Sequence, residues 1–392
     1  MKTLAYVYDA RCYKYQDDIF GVFDVTVWDR FLDGFDEIIV FASIYKSDID
    51  TIKKLNLNKL NHPKVEYVHV PFIDTPKRLI KNFFINNSVF KKEFCRVDAV
   101  VIRVPGQYCN NAFHVAKKMN LKVGLEVVGC PFDAFWNYGN MQGKILALVY
   151  FYWMKHIVKH SDYVLYVTKH FLQKRYPTKS KHTINASNVD VQVSNKEKVI
   201  NHRLSTLENN IRNKKITLGL IGSFGVRYKG HEEILKAVST LDERKYIYIE
   251  MIGGGDYKWV EKLAKSLNIE NNVKILGKLK SGDQVLNWLN KIDIYIHPSK
   301  QEGLPRSVIE AMSQACPVLA SKIAGIPELL DNNYLHKTGD FKHLSLQISR
   351  IIFNSVELEK MINANFKTAL AYDRSILSTK RKKFWLDFSE NL

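Results

Sequence analysis

Two glutamates, Glu302 and Glu310, lie on either side of the start of a predicted helix, with seven residues between them. Pro305 suits the first turn of that helix because its missing N–H would be unpaired there in any case. The amides of Gly303 and Leu304 would then lie near the positive end of the helix, which suits a phosphate group. Carboxylates accept hydrogen bonds from sugar hydroxyls. The pattern therefore predicts a site in which amides hold a diphosphate and carboxylates bind a sugar.

The residues around this pair predict a βαβ unit. Continuous apolar runs at 292–296 and 317–320 are typical of strands covered on both faces of a parallel sheet. The residues between about 305 and 315 supply the crossover helix. Ligands bind beyond the carboxyl ends of such strands, where Glu302 lies. The alternative for Glu310 is a solvated helix residue that pairs with Arg306 one turn back.

A second glycine-rich loop follows another predicted strand, 216–221, and reads GSFGVRYKG from Gly222 to Gly230. Glycines allow the backbone to approach a diphosphate, and a nearby cation neutralises its charge. Lys229 and Arg227 are the candidate cations. A purely structural turn is the alternative, because a glycine-rich turn alone is a weak signal.

Taken together, these residues resemble the donor site of the retaining GT-B glycosyltransferases of the family 4 type. The resemblance implies two Rossmann-like α/β domains, both doubly wound, that face each other across a cleft. It also implies a nucleotide-sugar donor, with no metal or other cofactor required. The residues that carry the resemblance are His297, Pro298, Ser299, Glu302, Gly303, Leu304, Pro305, Glu310, Ala311 and Pro317, followed by Gly325, Pro327 and Glu328.

The resemblance assigns roles to individual residues. Glu302 would contact hydroxyls of the donor sugar without acting as a covalent nucleophile, and Lys229 and Arg227 would balance the charge of the diphosphate. The family usually has an arginine directly after the first glycine of the loop; Ser223 stands there, and Arg227 is the candidate replacement. The donor-binding residues that it implies are Gly222, Ser223, Lys278, Leu279, Gly303, Leu304, Pro305 and Glu310, with Glu310 on the ribose and the backbone at 278–279 beside the base.

The N-terminal half alternates predicted strands with helices, which favours a parallel, doubly wound sheet. The predicted strands are 4–8, 38–42, 65–70, 97–104, 122–128 and 162–167. Between 178 and 215 polar and charged residues dominate, which predicts a domain linker. The expected domains are therefore 1–205 on the acceptor side, 206–370 for the nucleotide sugar, and a helix at 371–392 that returns to the first domain.

Candidates for the acceptor side follow the predicted strand 122–128. Glu126, Gly129 and Asp133 would line the cleft if the carboxyl-end rule holds. The run GLEVVGCPFDAFWNYG that contains them resembles the N-terminal half of bacterial surface-polysaccharide glycosyltransferases. Many family members place a histidine in this domain, whereas the strand here carries Glu126. A capping or loop carboxylate is the alternative for Glu126 and Asp133.

Composition limits the remaining classes of function. The chain has 392 residues and a formal net charge of +18, which favours contact with polyanions or an anionic membrane surface. It contains no aromatic-basic motif for specific nucleic-acid binding. Five scattered cysteines indicate neither a zinc site nor a disulfide framework and fit a reducing cytoplasm.

Two segments, 77–92 and 144–159, mix lysines with aromatic residues. Each could lie against a membrane surface, and the alternative is an ordinary core helix with snorkelling lysines. No segment is apolar for the roughly 18 residues that a spanning helix needs. We therefore expect a cytoplasmic protein that associates peripherally with the inner face of the plasma membrane.

The sequence thus predicts a glycosyltransferase that moves a sugar from a nucleotide sugar to a glycan or lipid-linked acceptor with retention of configuration. Bacterial surface-polysaccharide biosynthesis is the expected setting. The alternative is a catalytically silent nucleotide-sugar-binding or scaffold protein of the same fold, which the missing arginine and the unmatched histidine would favour.

Overall fold

The computed structural model of the chain describes residues 1–72, 76–136, 141–193 and 195–392, with the backbone alone described for 76–81. Within these residues the chain divides into two units. The first consists of Met1–Ala186 and Ser378–Leu392, and the second of Ser187–Leu377. The sequence predicted the first division after residue 205, whereas this division falls after Ala186.

The first unit is built on a sheet whose described part has nine strands. Seven of them are parallel and run in the order β5-β3-β1-β6-β7-β8-β9. The short strands β2 and β4 add an antiparallel edge beside the end of β1. The strands are β1 (Thr3–Tyr15), β2 (Asp18–Gly21), β3 (Glu37–Lys46), β4 (Asn58–Lys59), β5 (Val65–His69), β6 (Ala99–Val104), β7 (Lys122–Val127), β8 (Tyr163–Tyr166) and β9 (His182–Asn185).

Helices connect these strands as crossovers, as parallel neighbours require. The helices of the first unit are α1 (Asp29–Leu32), α2 (Ile49–Leu55), α3 (Pro76–Glu93), α4 (Cys109–Lys118), α5 (Pro131–Trp136), α6 (Met141–Lys159) and α7 (Phe171–Arg175). Strands β6 and β7 are mostly apolar, and most of their residues are buried because both faces of the sheet are covered. Full burial of one such Val, Leu or Ile side chain stabilises the fold by about 1.5–3 kcal/mol.

The second unit contains a six-stranded parallel sheet in the order β12-β11-β10-β13-β14-β15. Its strands are β10 (Ile216–Ile221), β11 (Ile247–Ile252), β12 (Val273–Gly277), β13 (Ile294–His297), β14 (Val318–Ser321) and β15 (Leu335–His336). Its helices are α8 (Lys196–Arg212), α9 (His231–Ser239), α10 (Lys258–Ser266), α11 (Asp283–Leu289), α12 (Arg306–Ser313), α13 (Phe341–Ile351) and α14 (Ser355–Ala369).

The boundary after Ala186 falls within the predicted linker at 178–215, but this segment also contains β9 and the whole of α8. Three residues of α8 at helical spacing, Ile200, Arg203 and Leu207, are buried, and the remaining polar residues cover its outer side. The buried guanidinium of Arg203 donates to the carbonyl oxygens of Leu289 at 2.8 Å and Gln314 at 3.1 Å. Helix α8 is therefore anchored in the second unit.

The last helix, α15 (Arg374–Glu390), begins in the second unit, and its residues from Ser378 onward group with the first. Its aromatic residues pack on the first sheet and its helices. The Trp385 ring lies 5.3 Å from the Phe31 ring, and the Phe388 ring lies 4.9 Å from that of Tyr163. The other side of this helix faces solvent, and its exposed basic residues lie there.

Candidate functional site

The second sheet changes direction between β10 and β13. From β10 the chain proceeds outward through β11 and β12, then crosses back so that β13 pairs with the other side of β10. The two loops that follow β10 and β13 therefore leave the same edge of the sheet from adjacent strands. Open parallel sheets bind their ligands at such a switch point, beyond the carboxyl ends of the strands.

An ion pair joins these two loops. Lys229 follows β10, Glu302 follows β13, and the Lys229 Nζ lies 2.8 Å from the Glu302 Oε1. The Nε2 of His297, at the end of β13, lies 3.0 Å from the same oxygen. The Tyr295 hydroxyl lies 3.2 Å from the other ring nitrogen of His297. A chain of four polar side chains thus fixes the Glu302 carboxylate at the switch point.

The electrostatics of Glu302 follow from this arrangement. Burial alone would raise the pKa of its carboxyl, but the neighbouring His297 and Lys229 outweigh burial and lower that pKa to about 2. Glu302 is therefore a carboxylate at neutral pH, with its second oxygen available to accept hydrogen bonds.

Backbone contacts hold the two loops together. The amide of Lys300 donates to the carbonyl oxygen of Tyr228 at 2.7 Å, and the Ser299 hydroxyl donates to the same oxygen at 3.2 Å. Gly230 has a φ of +83°, and a Cβ there would collide with the carbonyl of Pro298. Both the left-handed conformation and the close approach require glycine at 230. The loops are therefore built as one surface.

Helix α12 begins at this surface. Pro305 lies at its N-cap, which places Gly303 and Leu304 directly before the first turn, as the sequence predicted. Glu310 lies within the helix and is largely enclosed, and this burial raises the pKa of its carboxyl, although Arg306 acts in the opposite direction. Glu310 is thus a partly desolvated carboxylate on the helix that starts beside Glu302.

The remaining predicted cation, Arg227, lies in a short 3-10 helix with Lys229 but points elsewhere. Its guanidinium stacks over the Trp259 ring at 3.5 Å from the ring centre. Ser223 supports the loop, because its hydroxyl donates to the carbonyl oxygen of Gly254 at 3.2 Å and accepts from the amide of Gly225 at 3.3 Å. The structure therefore brings Lys229, and not Arg227, to Glu302.

The other predicted donor residues lie at the same edge of the second sheet. Gly222 follows β10 directly, and its amide donates to the carbonyl oxygen of Ile252 at 3.0 Å. Lys278 and Leu279 follow the edge strand β12, with Lys278 exposed and Leu279 half-buried. Their position fits a backbone contact to a base that enters at this edge.

The acceptor-side candidate Glu126 has a structural role instead of the predicted one. It is fully buried, and its Oε2 accepts from the Tyr6 hydroxyl at 2.8 Å and from Arg103 at 3.0 Å. Arg30 lies 3.3 Å from its Oε1. Burial raises the pKa of Glu126, but the two arginines outweigh this and lower it. A ligand cannot reach a carboxylate enclosed in this way, so the expectation that it lines the cleft is corrected.

Gly129 and Asp133 lie nearer the carboxyl edge of the first sheet. Gly129 precedes α5, and a Cβ there would be in ordinary contact with Pro105. Asp133 pairs with Arg175 at 2.8 Å, and the Arg175 guanidinium stacks over the Phe132 ring at 5.0 Å. The Asp133 carboxylate is therefore already paired within the first unit.

A carboxylate that the sequence analysis missed lies at the switch point of the first sheet, between β1 and β6. One oxygen of Asp9 accepts from the amide of Gln107 at 2.9 Å. Its other oxygen, Oδ1, is buried and has no hydrogen-bond partner among the described residues. Burial raises the pKa of Asp9, although the Gln107 amide and Arg11 lower it. The signal was present in the sequence, since Asp9 follows the apolar run of the first strand.

Across the described residues, no group of three or more His, Cys, Asp and Glu side chains is arranged to hold a metal ion. The five cysteines are free, and four of them are buried. The part of the chain that the structure describes contains no helix long and apolar enough to cross a bilayer.

The two parallel-sheet units and the donor-type loops at the second switch point define a glycosyltransferase of the GT-B fold. Solved structures support this fold over the whole chain. A glycosyltransferase involved in lipopolysaccharide biosynthesis, WaaG, matches with a TM-score of 0.65 at 15% identity, covering 97% of this chain and 98% of that one. HepE from Anabaena in complex with UDP matches with a TM-score of 0.66 at 14% identity, covering both chains fully.

The chain belongs to the family described as glycosyl transferases group 1. The family model matches residues 206–368. Protein CapJ from Staphylococcus aureus is 33% identical over 99% of this chain and 96% of its own length. Because that similarity covers nearly the whole of both chains, it extends through the first unit as well as the second.

Proposed function

We propose that this glycosyltransferase takes its sugar from a nucleotide-sugar donor and transfers it with retention of configuration, as in the family 4 type. The observation that carries the proposal is the Lys229–Glu302–His297 cluster at the switch point of the second sheet. It combines an ammonium group, an ionised carboxylate and the start of a helix within one surface. A nucleoside diphosphate that carries a sugar requires this combination of groups.

The donor is proposed to lie along the loops after β10 and β13. Lys229 and the amides of Gly303 and Leu304 balance the negative charge that develops on the departing diphosphate, which needs no metal ion. Glu302 accepts hydrogen bonds from donor-sugar hydroxyls through its free oxygen, and Glu310 accepts from the ribose. Glu302 is not proposed as a nucleophile, because its carboxylate is already engaged by Lys229 and His297.

The acceptor is proposed to be a glycan or a lipid-linked sugar, bound by residues at the carboxyl edge of the first sheet. Asp9 is the candidate that contacts it, because it lies at the switch point of this sheet and its buried Oδ1 has no hydrogen-bond partner among the described residues. Gly129 and Asp133 are the further candidates. An Asp9→Asn variant that keeps the wild-type KM for acceptor would contradict this assignment.

The setting is proposed to be bacterial surface-polysaccharide biosynthesis, in the cytoplasm and peripherally on the inner face of the plasma membrane. The likeness to a glycosyltransferase of lipopolysaccharide biosynthesis supports this setting. The chain's net charge of +18 supports the membrane association.

The experiment is a panel of UDP- and GDP-sugars offered with lipid-linked and free glycan acceptors. Binding is measured by calorimetry, transfer by product mass, and the anomeric configuration of the product by NMR. We expect one nucleotide to bind and one donor to be turned over with retention. Binding without turnover on any acceptor would favour a silent binding protein, an inverted product would refute retention, and no nucleotide binding at all would refute the donor site.

A further inference from the structure

Helix α6 exposes an apolar stripe to solvent. Met141, Ile145, Leu148 and Tyr152 recur at helical spacing on one side, and they are 70%, 59%, 49% and 64% exposed. The buried residues of the helix, among them Ala147, lie on its other side. A core helix would have the opposite distribution, with its apolar stripe inward. The core-helix alternative for residues 144–159 is therefore wrong for this side of α6.

Positive charge surrounds the stripe. Lys155 and Lys159 continue it toward the end of the helix, and both are exposed. Helices α3, α4 and α6 together contain one acidic residue, Glu93, whereas lysines recur along all three. An apolar stripe with a basic border is the pattern of a surface that meets anionic lipid.

The surface continues from α6 to α3 across α4, whose exposed residues are His114 and Lys118. On α3, Phe84 is 68% exposed beside Phe83. The Asn111 amide group, at the start of α4, donates to the carbonyl oxygen of Phe83 at 3.1 Å. On the other side of α4, the His114 and His156 rings lie 5.8 Å apart. We call the exposed residues of α3, α4 and α6 the α3–α6 face; the side chains of 76–81 on α3 lie outside the described residues.

One end of the α3–α6 face reaches the carboxyl edge of the first sheet. Trp153, which is 41% exposed, lines a shallow apolar pocket there with Tyr150, Pro105 and Pro131. This is the edge at which we place the acceptor. An acceptor held in a bilayer would therefore be presented at that edge by a membrane lying on the face.

We propose that the α3–α6 face docks on the surface of an anionic lipid bilayer, with the α6 stripe inserted at the level of the headgroups. Exposed Tyr and Trp side chains suit this level because they combine an apolar body with a polar tip. A soluble protein partner would need an acidic surface to match this basic border, because Glu93 is the one acidic residue of the three helices. The inference rests on the membrane association proposed above and assigns it to one surface.

The test is co-sedimentation of the full chain with vesicles of phosphatidylcholine containing phosphatidylglycerol, measured without donor or acceptor. Lys155→Gln with Lys159→Gln should lower the partition coefficient about 25-fold, since a lysine near such a surface contributes about fivefold. The matched control is Lys262→Gln with Lys265→Gln, an exposed pair on α10. The control should bind like the wild type, and added salt should weaken wild-type binding.

The stripe is tested separately with Ile145→Ser, Leu148→Ser and Tyr152→Ser in one variant. It should lose vesicle binding more than tenfold, whereas Leu346→Ser with Val356→Ser, equally exposed on the second unit, should not. Equal losses of vesicle binding in the test variants and their controls would overturn the proposal, because they would show that binding does not depend on this face. Unchanged vesicle binding of the stripe variant, together with loss of a dimer in light scattering, would assign the face to a second copy. Nucleotide binding by every variant confirms folding and leaves the transferase proposal independent of the outcome.

Discussion

Replacement of Lys229 by alanine is the sharpest test of the donor site. The substitution removes a 2.8 Å ion pair to Glu302 in which the two side chains are only 24% and 10% exposed. It also removes the one ammonium group that the structure brings to Glu302 from the described residues around β10 and β13. Hydrogen bonds to charged groups are worth about 1.5–3 kcal/mol. Loss of such a contact to the diphosphate should lower kcat/KM about ten- to a hundredfold.

The same substitution should also lower stability, because it leaves the largely buried carboxylate of Glu302 with His297 as its remaining partner. The cost should stay below the roughly 3–5 kcal/mol of a buried pair that loses its one partner, because His297 still contacts the carboxylate. The pKa of Glu302 should rise without Lys229, because His297 alone then offsets burial. The Tm of the variant is therefore measured before its activity is compared.

The assay is initial-rate transfer with the donor identified from the nucleotide-sugar panel, together with calorimetric binding of the free nucleotide. Lys236→Ala is the matched control, because Lys236 forms a comparable ion pair with Glu232 at 2.6 Å one helix away from the site. A fall in kcat with little change in KM would place Lys229 on the leaving group in the transition state. If Lys229→Ala transfers sugar within twofold of the control, the site assignment is wrong.

Three further predictions follow from the second unit. Glu310→Ala should cut transfer at least about tenfold. Burial raises the pKa of this carboxyl, so its ionised form does not stabilise the fold, and the variant should be no less stable at neutral pH. Arg227→Ala should cost less activity than Lys229→Ala, because Arg227 is stacked away from Glu302. Burial lowers the pKa of His231 and His336 from 6.5 to about 4, so stability should fall as the pH decreases from 6.5 toward 4. Replacing both histidines with Gln should flatten that dependence.

Each of these has its own control. Glu359→Ala removes an exposed carboxylate from α14 and should leave transfer unchanged; an equal loss there would discredit the Glu310 assignment. Arg227 would have to leave the Trp259 ring to reach a diphosphate. If Arg227→Ala lowers activity as much as Lys229→Ala does, Arg227 makes this movement. His202 is exposed on α8, so its replacement should not change how stability falls between pH 6.5 and pH 4, as measured by urea unfolding.

The strand positions could be predicted because apolar runs end at glycine, proline or charged residues. The expected strand 216–221 matches β10 at both ends. Strand β1 was predicted as residues 4–8, yet it continues to Tyr15. Asp9, Arg11 and Lys14 interrupt its apolar run, and the continuation is stabilised by pairing with β2 and β3, which composition does not encode. Helix α8 was missed within the predicted linker for a related reason, because its three buried residues are separated by polar neighbours.

The candidate donor residues could be chosen from the sequence, but the pairing of Lys229 with Glu302 could not be predicted from it. Lys229 and Glu302 are far apart in the sequence, and only the order of strands, with β13 beside β10, brings their loops together. The sequence alone allows His297 to be either a packed residue at the end of a strand or a functional one. Tyr295 and His297 are two residues apart in β13, so their side chains lie on the same face of the sheet. Tyr295 contacts His297, which in turn contacts Glu302.

The two sheets place their carboxylates according to the same physical rule, with different results. Glu302 lies in a loop beyond its strand, so Lys229 and His297 balance its charge at the edge where we propose that the donor binds. Glu126 lies inside β7, where a carboxylate is tolerated only because Arg30 and Arg103 enclose it. A carboxylate enclosed within the paired part of a parallel strand is therefore a poor candidate for contact with a substrate, whereas one beyond that part is a better one. Asp9 lies within β1 but beyond Leu4–Val7, which pair with β6, and at the register shift between Val7 and Arg11 in the β1–β3 pairing. We therefore prefer Asp9 to Glu126 as the acceptor-side candidate.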